Sequence, residues 1–456
     1  MHRAAIYCIS VPRFLLKKRG DKFLKTNKKK SAAAAQVATG SSSKNAAAAA
    51  DDRVESLPGL SGWSGTQFAG YASIYGPFNP PPADGDGSDE ELFYWFVGTP
   101  DYAQRPTVLW TNGGPGSTSF WGFFLENGPF EIGDNGTVTP RPEGWNNYAN
   151  YMIFEHPLSV GLSFAQDPEA LPKTPEAGCR QYYQALLNFM AKHPEIAANP
   201  LILAGESYAG TYLPLLSKNI VAGNAFPASK LDLKGTVLLD AWVNPPVQMA
   251  ADTTYAYSHG MISAYEKKIL DETYTGSNLS NIDNAIQNIC GLYMTNIAQL
   301  ADPSTDAMTE YLNRDDVRDA IHAKKGQPLA MFSEAISELY SAGVNDSYAD
   351  TVQELLDKGV PILVISGLND AKDCNFLGTE AWLNLLEGDA ALKFKLAPTT
   401  RWEIKTGSDS QTPQVLGYVQ DGGLLRWVKV LNAGHMAVRD QPQIIHLILE
   451  KLLGGD

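Results

Sequence analysis

From about residue 92 onward, short unbroken apolar runs alternate with stretches whose apolar positions return every three or four residues. The runs are LFYWFV from Leu92, TVLW at 107–110, YMIFE at 151–155, PLILAG at 200–205, GTVLLD at 235–240 and VPILVIS at 360–366. Unbroken rather than alternating apolar character is what a strand covered on both faces requires. Helical spacing fills the intervals, as at 176–192 and 208–220, and a last helix is predicted over about 441–453. Strands alternating with helices predict an α/β fold with a mostly parallel central sheet flanked by helices, since parallel neighbours need a crossover. The alternation lapses between about 246 and 355, where Tyr, Met, Asn and Ser are frequent and helical spacing dominates. An insertion between two core strands is expected over the carboxyl edge of the sheet, as a mainly helical lid.

Composition separates the first 55 residues from the rest. They hold KKRGDKFLKTNKKK and then Ala and Ser tracts, with too little bulky apolar surface to pack, so a disordered or targeting segment is expected before a folded domain at 56–456. AAIYCISVPRFLL is interrupted by Pro12 and Arg13, and a weak signal peptide, an organelle transit peptide and a plain tail all fit it. Residues 1–30 carry ten Lys or Arg against Asp21 alone, net +9, so the remainder holds −23 of the total −14. An acidic body of that kind repels nucleic acid and anionic lipid. After the N-terminal segment no run has the ~18 unbroken apolar residues that a membrane span needs. Cys8, Cys179, Cys290 and Cys374 form no CxxC pair and no zinc spacing, so no metal site is expected. Sequons at Asn135, Asn278 and Asn345 would be glycosylated only in a secretory compartment.

Three strand ends carry chemistry. In PLILAGESYAGTYLPLLSK, Ser207 stands where strand becomes helix, among Gly205, Ala209 and Gly210. A nucleophile on so sharp a turn needs small neighbours, although a serine that only caps the helix is the plainer alternative when the segment is taken alone. The second stretch, LWTNGGPGSTSFWGFFLENGPF, leaves backbone N–H groups unobstructed after another strand, as acyl transfer requires for its oxyanion. Gly114 and Tyr208 are the candidate donors, and a plain glycine turn is the alternative. Of seven histidines, only His435 follows a strand in a glycine-bearing loop, whereas His193 and His322 close helices and His446 lies within one. After VPILVIS come two aspartates, Asp370 and Asp373. Ser, Asp and His in that order, each at a strand end, is the order of α/β-hydrolases.

NGGPG, GESYAG, YLNRDDVRDAIHA, SGLNDAKDCNFLG and AGHMAVRDQP together resemble the serine carboxypeptidases of peptidase family S10, over roughly residues 58–454. The resemblance implies an α/β-hydrolase fold and a serine-type carboxypeptidase that removes C-terminal residues from peptides or proteins through an acyl-enzyme, without a cofactor. It implies Ser207 as nucleophile, His435 as base and acid, and an aspartate as its partner. The acid stands three residues past the strand-end glycine, here Gly367, which selects Asp370. Asp373 is then expected to cap the following helix. Gly114 and Tyr208 would form the oxyanion hole. Asn112, Glu126 and Glu206 match the positions that bind the substrate's terminal carboxylate, and Cys374 and Met436 match pocket positions. Two close carboxyls meeting a third should titrate high, so an acidic optimum is expected. A vacuolar, lysosomal or secreted location also follows from the resemblance, and an acyltransferase on the same fold is the alternative activity. Ser117 replaces the bridged cysteine usual after NGGPG, LLDAWVNPP replaces a Gly-Asn-Gly turn, and a Cys179–Cys290 bridge is left open.

Overall fold

The apolar runs form the middle of a ten-stranded sheet in a computed structural model that describes residues 52–82, 90–133, 135–372, 374–404 and 413–454. The strands are β1 Thr66–Ser73, β2 Glu91–Gly98, β3 Thr107–Thr111, β6 Asn150–Phe154, β7 Pro200–Ser207, β8 Asp232–Ala241, β9 Ile362–Gly367, β10 Thr399–Ile404, β11 Gln414–Asp421 and β12 Leu425–Val430. A separate hairpin pairs β4 Phe130–Ile132 with β5 Val138–Pro140. The large sheet runs β1-β2-β6-β3-β7-β8-β9-β12-β11-β10, with the six strands from β6 to β12 parallel and an antiparallel pair at each edge.

Both faces are covered, which is why the central strands read as continuous apolar runs. Phe93, Trp95 and Val97 of β2 join Trp110, Ile202 and Ile365 in one core, closed by Ile445 and Ile448 of the helix Ile444–Leu453. Leu92, Tyr94 and Phe96 point the other way, onto Tyr182, Leu186 and Phe189 of the helix Pro175–Lys192 and Leu213 and Leu216 of the helix Ala209–Gly223. A one-residue slip would exchange these two sets, so burial fixes the register.

The edge strands β1, β10 and β11 were not legible as apolar runs. β10 and β11 are largely exposed or half-buried, and β1, though mostly buried, is built of Thr, Gln, Gly, Ala and Ser around two aromatic residues, so none of the three reads as an unbroken run of bulky apolar residues. Asp52 is buried and accepts from the Tyr94 hydroxyl, His193 Nε2 at 2.8 Å and Lys192 Nζ at 2.9 Å, so residues 52–54 belong to the packed body, and residues 1–51 lie outside the described ones.

Between β8 and β9, residues 242–361 are helices and loops. Their core joins Trp242, Tyr255, Ile286, Ile336 and Tyr340 to Tyr208. Residues 294–297 add backbone hydrogen bonds to two loops at the carboxyl edge: Ala371 N donates to Met294 O at 2.9 Å, His435 N to Thr295 O at 2.8 Å and Ile297 N to Asn369 O at 3.0 Å.

Candidate active site

Ser207 is the last residue of β7, and the helix Ala209–Gly223 starts two residues later. Its φ is +61°, the left-handed region that costs a residue with a Cβ about 1–3 kcal/mol. Packing on both sides holds it there. A Cβ on Gly205 would come within 2.2 Å of Thr111 O on neighbouring β3, and one on Gly113 within 2.3 Å of Tyr208 N. The second contact places the glycine loop after β3 directly against the backbone that follows Ser207. The N–H groups of Gly114 and Tyr208 thus belong to two loops that meet at the Ser207 turn.

Asp370 follows β9 by three residues and is fully buried, while His435 follows β12 by five and is 8 % exposed. His435 Nδ1 lies 2.8 Å from Asp370 Oδ2, and Lys372 N donates to Asp370 Oδ1 at 3.0 Å. With both oxygens engaged, the carboxylate plane is fixed. A carboxylate acceptor keeps the ring proton on Nδ1 and leaves Nε2 as the basic nitrogen. The histidine loop is pinned in turn by Asp440, whose Oδ2 accepts from Gly434 N and Asn296 Nδ2, each at 2.9 Å. β7, β9 and β12 are parallel, so all three strand ends open onto one edge of the sheet.

Beneath that edge Asn112 Nδ2 donates to Glu206 Oε1 at 2.9 Å and to Glu126 Oε1 at 3.1 Å. Its Oδ1 accepts from Trp110 Nε1 at 2.8 Å and Gly122 N at 3.0 Å, which fixes the amide's orientation. Glu126 ends the helical turn Trp121–Glu126, and Glu206 immediately precedes Ser207. Each keeps a buried Oε2 without a protein donor. Burial pushes the Glu206 carboxyl well above the usual range, and the Glu126 charge adds to it. Glu126 is also raised by burial, opposed by its contact with Glu206 and its hydrogen bond from Asn112. Two carboxyls in one dry site share a proton readily, and the protonated form can donate to a third carboxylate.

A family model described as serine carboxypeptidase matches residues 58–301 and 291–455. The chain belongs to the serine carboxypeptidase family. Among curated relatives it is 25% identical over 444 residues to the pheromone-processing carboxypeptidase KEX1 of Phytophthora infestans, covering 88% of this chain and 71% of the relative. It is 29% identical over 405 residues to the venom serine carboxypeptidase of Apis mellifera, covering 83% and 82%. A solved prohormone-processing carboxypeptidase from Saccharomyces cerevisiae, KEX1(delta)P, superposes with a TM-score of 0.76 at 22% identity, covering 89% of this chain and 96% of that one, and supports the α/β-hydrolase fold.

Several features of this serine carboxypeptidase were not foreseen. The helix cap expected of Asp373 is supplied by Asn375, whose Oδ1 accepts from Leu377 N and Gly378 N at 3.1 Å; Asp373 itself lies outside the described residues. Where a bridged cysteine is usual, Ser117 pairs with Phe332 in an antiparallel bridge, and Thr118 N donates to Met331 O at 3.1 Å, so backbone hydrogen bonds tie the glycine loop to the insertion. Cys179 and Cys290 are not bridged; Cys179 is buried and its thiol donates to Tyr212 O at 3.4 Å. Cys374 is buried in the same cluster as Tyr208, and Met436 is buried beside His435 in sequence. Glu155, read only as the end of a strand run, is fully buried and accepts from Thr118 Oγ1 and from Ser119 N at 3.0 Å. Ser119 Oγ accepts from Asn112 N at 3.2 Å, so Glu155 braces the glycine loop from below. Burial pushes its carboxyl up to about 8. No sequence pattern marked it, because nothing local shows which loop lies over a strand end.

Proposed function

We propose that the protein releases single residues from the free C-termini of peptides through an acyl-enzyme, favouring acidic pH. Ser207 attacks the last peptide carbonyl while His435 Nε2 takes its proton, and Asp370 holds the imidazole and stabilises its cation. Gly114 N–H and Tyr208 N–H receive the oxyanion. His435 then protonates the leaving amine, water enters, and the same residues release the acyl group. The observation that carries this reading is the Asn112-bridged carboxyl pair, with one member adjacent in sequence to the nucleophile. The Asn112 amide and a protonated Glu126 or Glu206 bind the substrate's terminal carboxylate, so affinity falls as pH rises and the pair ionises.

A secretory or vacuolar location is part of the same reading: Asn135 and Asn345 of two sequons are exposed, and one relative is named a venom protein. The insertion at residues 246–355 would act as the lid over the peptide.

A blocked dipeptide and its C-terminally amidated analogue test the proposal together. The free acid should be cleaved at pH 5 and the amide spared; equal cleavage would remove the carboxylate site from the mechanism. Acyl transfer to an added alcohol without hydrolysis would instead favour the acyltransferase. A fluorophosphonate should label wild type, and labelling that survived Ser207→Ala would contradict the nucleophile.

A further inference from the structure

β8 departs from regular pairing with β7 at two places, and the second lies beside Ser207. Glu206 pairs with Leu239 and Ser207 with Ala241, so Asp240 is an extra residue in a bulge directly across from the nucleophile. Its φ is +39°, the same left-handed region as Ser207, and its side chain is fully buried. Bulges beside active sites re-aim a side chain that regular pleating would send elsewhere. Here the bulge turns a carboxyl toward the opposite neighbour: Asp240 Oδ1 accepts from Gly367 N at 2.8 Å.

Gly367 is where the other two strand ends meet. It closes β9 and begins the turn to Asp370, whose N–H donates back to Gly367 O at 3.3 Å. A Cβ on Gly367 would come within 2.1 Å of Gly434 O and 2.6 Å of Ala433 O, so the glycine lies flat on the loop that carries His435. Leu368 N and Asn369 N then donate to Val430 O at 2.9 Å and Ala433 O at 2.8 Å. One hydrogen bond therefore joins the strand beside the nucleophile to the junction of the acid and base loops.

We propose that Asp240 is a positioning residue for the triad, a buried side chain that sets the Gly367–Asp370 turn against the His435 loop from the strand next to Ser207. The proposal rests on the triad reading given above. Neutrality follows from the surroundings. Asp240 Oδ2 is buried without a donor, and among the described residues Asp370, Asp440, Glu206 and the Tyr255 hydroxyl, all acids, interact with it electrostatically, while His435 on the adjoining loop is bonded to Asp370 at 2.8 Å. Burial first, and the Asp370 charge second, push its carboxyl well above the usual range. A second anion beside Asp370 would repel it, whereas a neutral acid keeps the acceptor for Gly367 N–H without that repulsion.

Two substitutions separate this role from a merely structural one, because Gly and Asn both accept a left-handed backbone. Asp240→Gly should still fold cooperatively yet lose ~10- to 100-fold in kcat, with KM nearly constant, because the turn loses its anchor. Asp240→Asn keeps an oxygen acceptor and no charge, so it should restore kcat to within about threefold and leave the acid limb of kcat/KM in place. Wild-type kcat in Asp240→Gly would overturn the proposal. So would an Asp240→Asn enzyme as slow as Asp240→Gly, or one with a displaced acid limb, since either would mean that a charged carboxylate acts there. Fluorophosphonate labelling rates keep this test apart from the substrate question. A wild type that neither cleaves nor labels overturns the triad reading and this one with it; a wild type that labels no faster than Asp240→Gly overturns this one alone.

Discussion

Asp370 reaches His435 with one oxygen and Lys372 N with the other, so an amide in its place would present one donor where two acceptors are needed. Asp370→Asn should therefore drop kcat by about 10⁴ with an unchanged thermal transition, while Asp373→Asn should stay within about twofold of wild type. A loss of activity in Asp373→Asn with Asp370→Asn active would show that the acid was assigned to the wrong aspartate. The Glu126–Glu206 pair gives a second outcome at this scale. Its carboxyls are raised by burial, so they are neutral at acidic pH and ionise as pH rises. KM for a free-acid peptide should climb above the pair's titration by up to about tenfold per pH unit, and Glu206→Gln, which cannot ionise, should flatten that climb. An unaltered pH profile of KM in the variant would count against the pair as the carboxylate site.

At the scale of elements, the turn from β7 into the following helix stores strain at Ser207, whose φ of +61° suits glycine better than serine. Ser207→Gly should be inactive and more stable by about 1 kcal/mol, read as a higher unfolding midpoint. A lower midpoint would mean that the hydroxyl itself holds the turn. The glycine loop after β3 shows a substitution of means. Backbone bridges from Ser117 and Thr118 to residues 331–332, together with Glu155 from below, fix a loop that the family resemblance led one to expect a disulfide to hold.

For the whole molecule, raised carboxyls set how stability responds to pH. Glu155 titrates near 4.5 when unfolded and is pushed up to about 8 when folded, chiefly by burial. Below the unfolded value both states are protonated and nothing is lost. As pH rises toward 8 the unfolded state ionises first, and the penalty grows to roughly 5 kcal/mol at most. Glu126, Glu206 and Asp240 act in the same direction. Urea midpoints should be higher at pH 5 than at pH 8, and Glu155→Gln should narrow that gap, chiefly by gaining stability at pH 8. A midpoint that rises from pH 5 to pH 8 would contradict the assignment of these groups as buried neutral acids.

Much of this was legible along the chain because it is local. Continuous apolar runs reveal strands covered on both faces, and glycines beside Ser207 reveal a turn that admits no Cβ. The resemblance selected Asp370 by its distance from the strand-end glycine, and the short loop after β9 holds that residue 2.8 Å from His435 Nδ1. The two site glutamates were found only through resemblance to a family, since an acid in a loop has no local mark of burial. Other features depend on which segments meet in space. The bulge at Asp240 exists only relative to the register of β7 and β8. The backbone bonds from residues 294–297 join the acid and base loops across long separations in sequence. Sequence by itself determined the α/β order and the strand ends that carry Ser207, Asp370 and His435, because these follow from periodicity and backbone sterics. Only the tertiary structure decided which carboxyls are dry, which are paired and which are held neutral, because those properties belong to the surroundings of a group and not to its place in the chain.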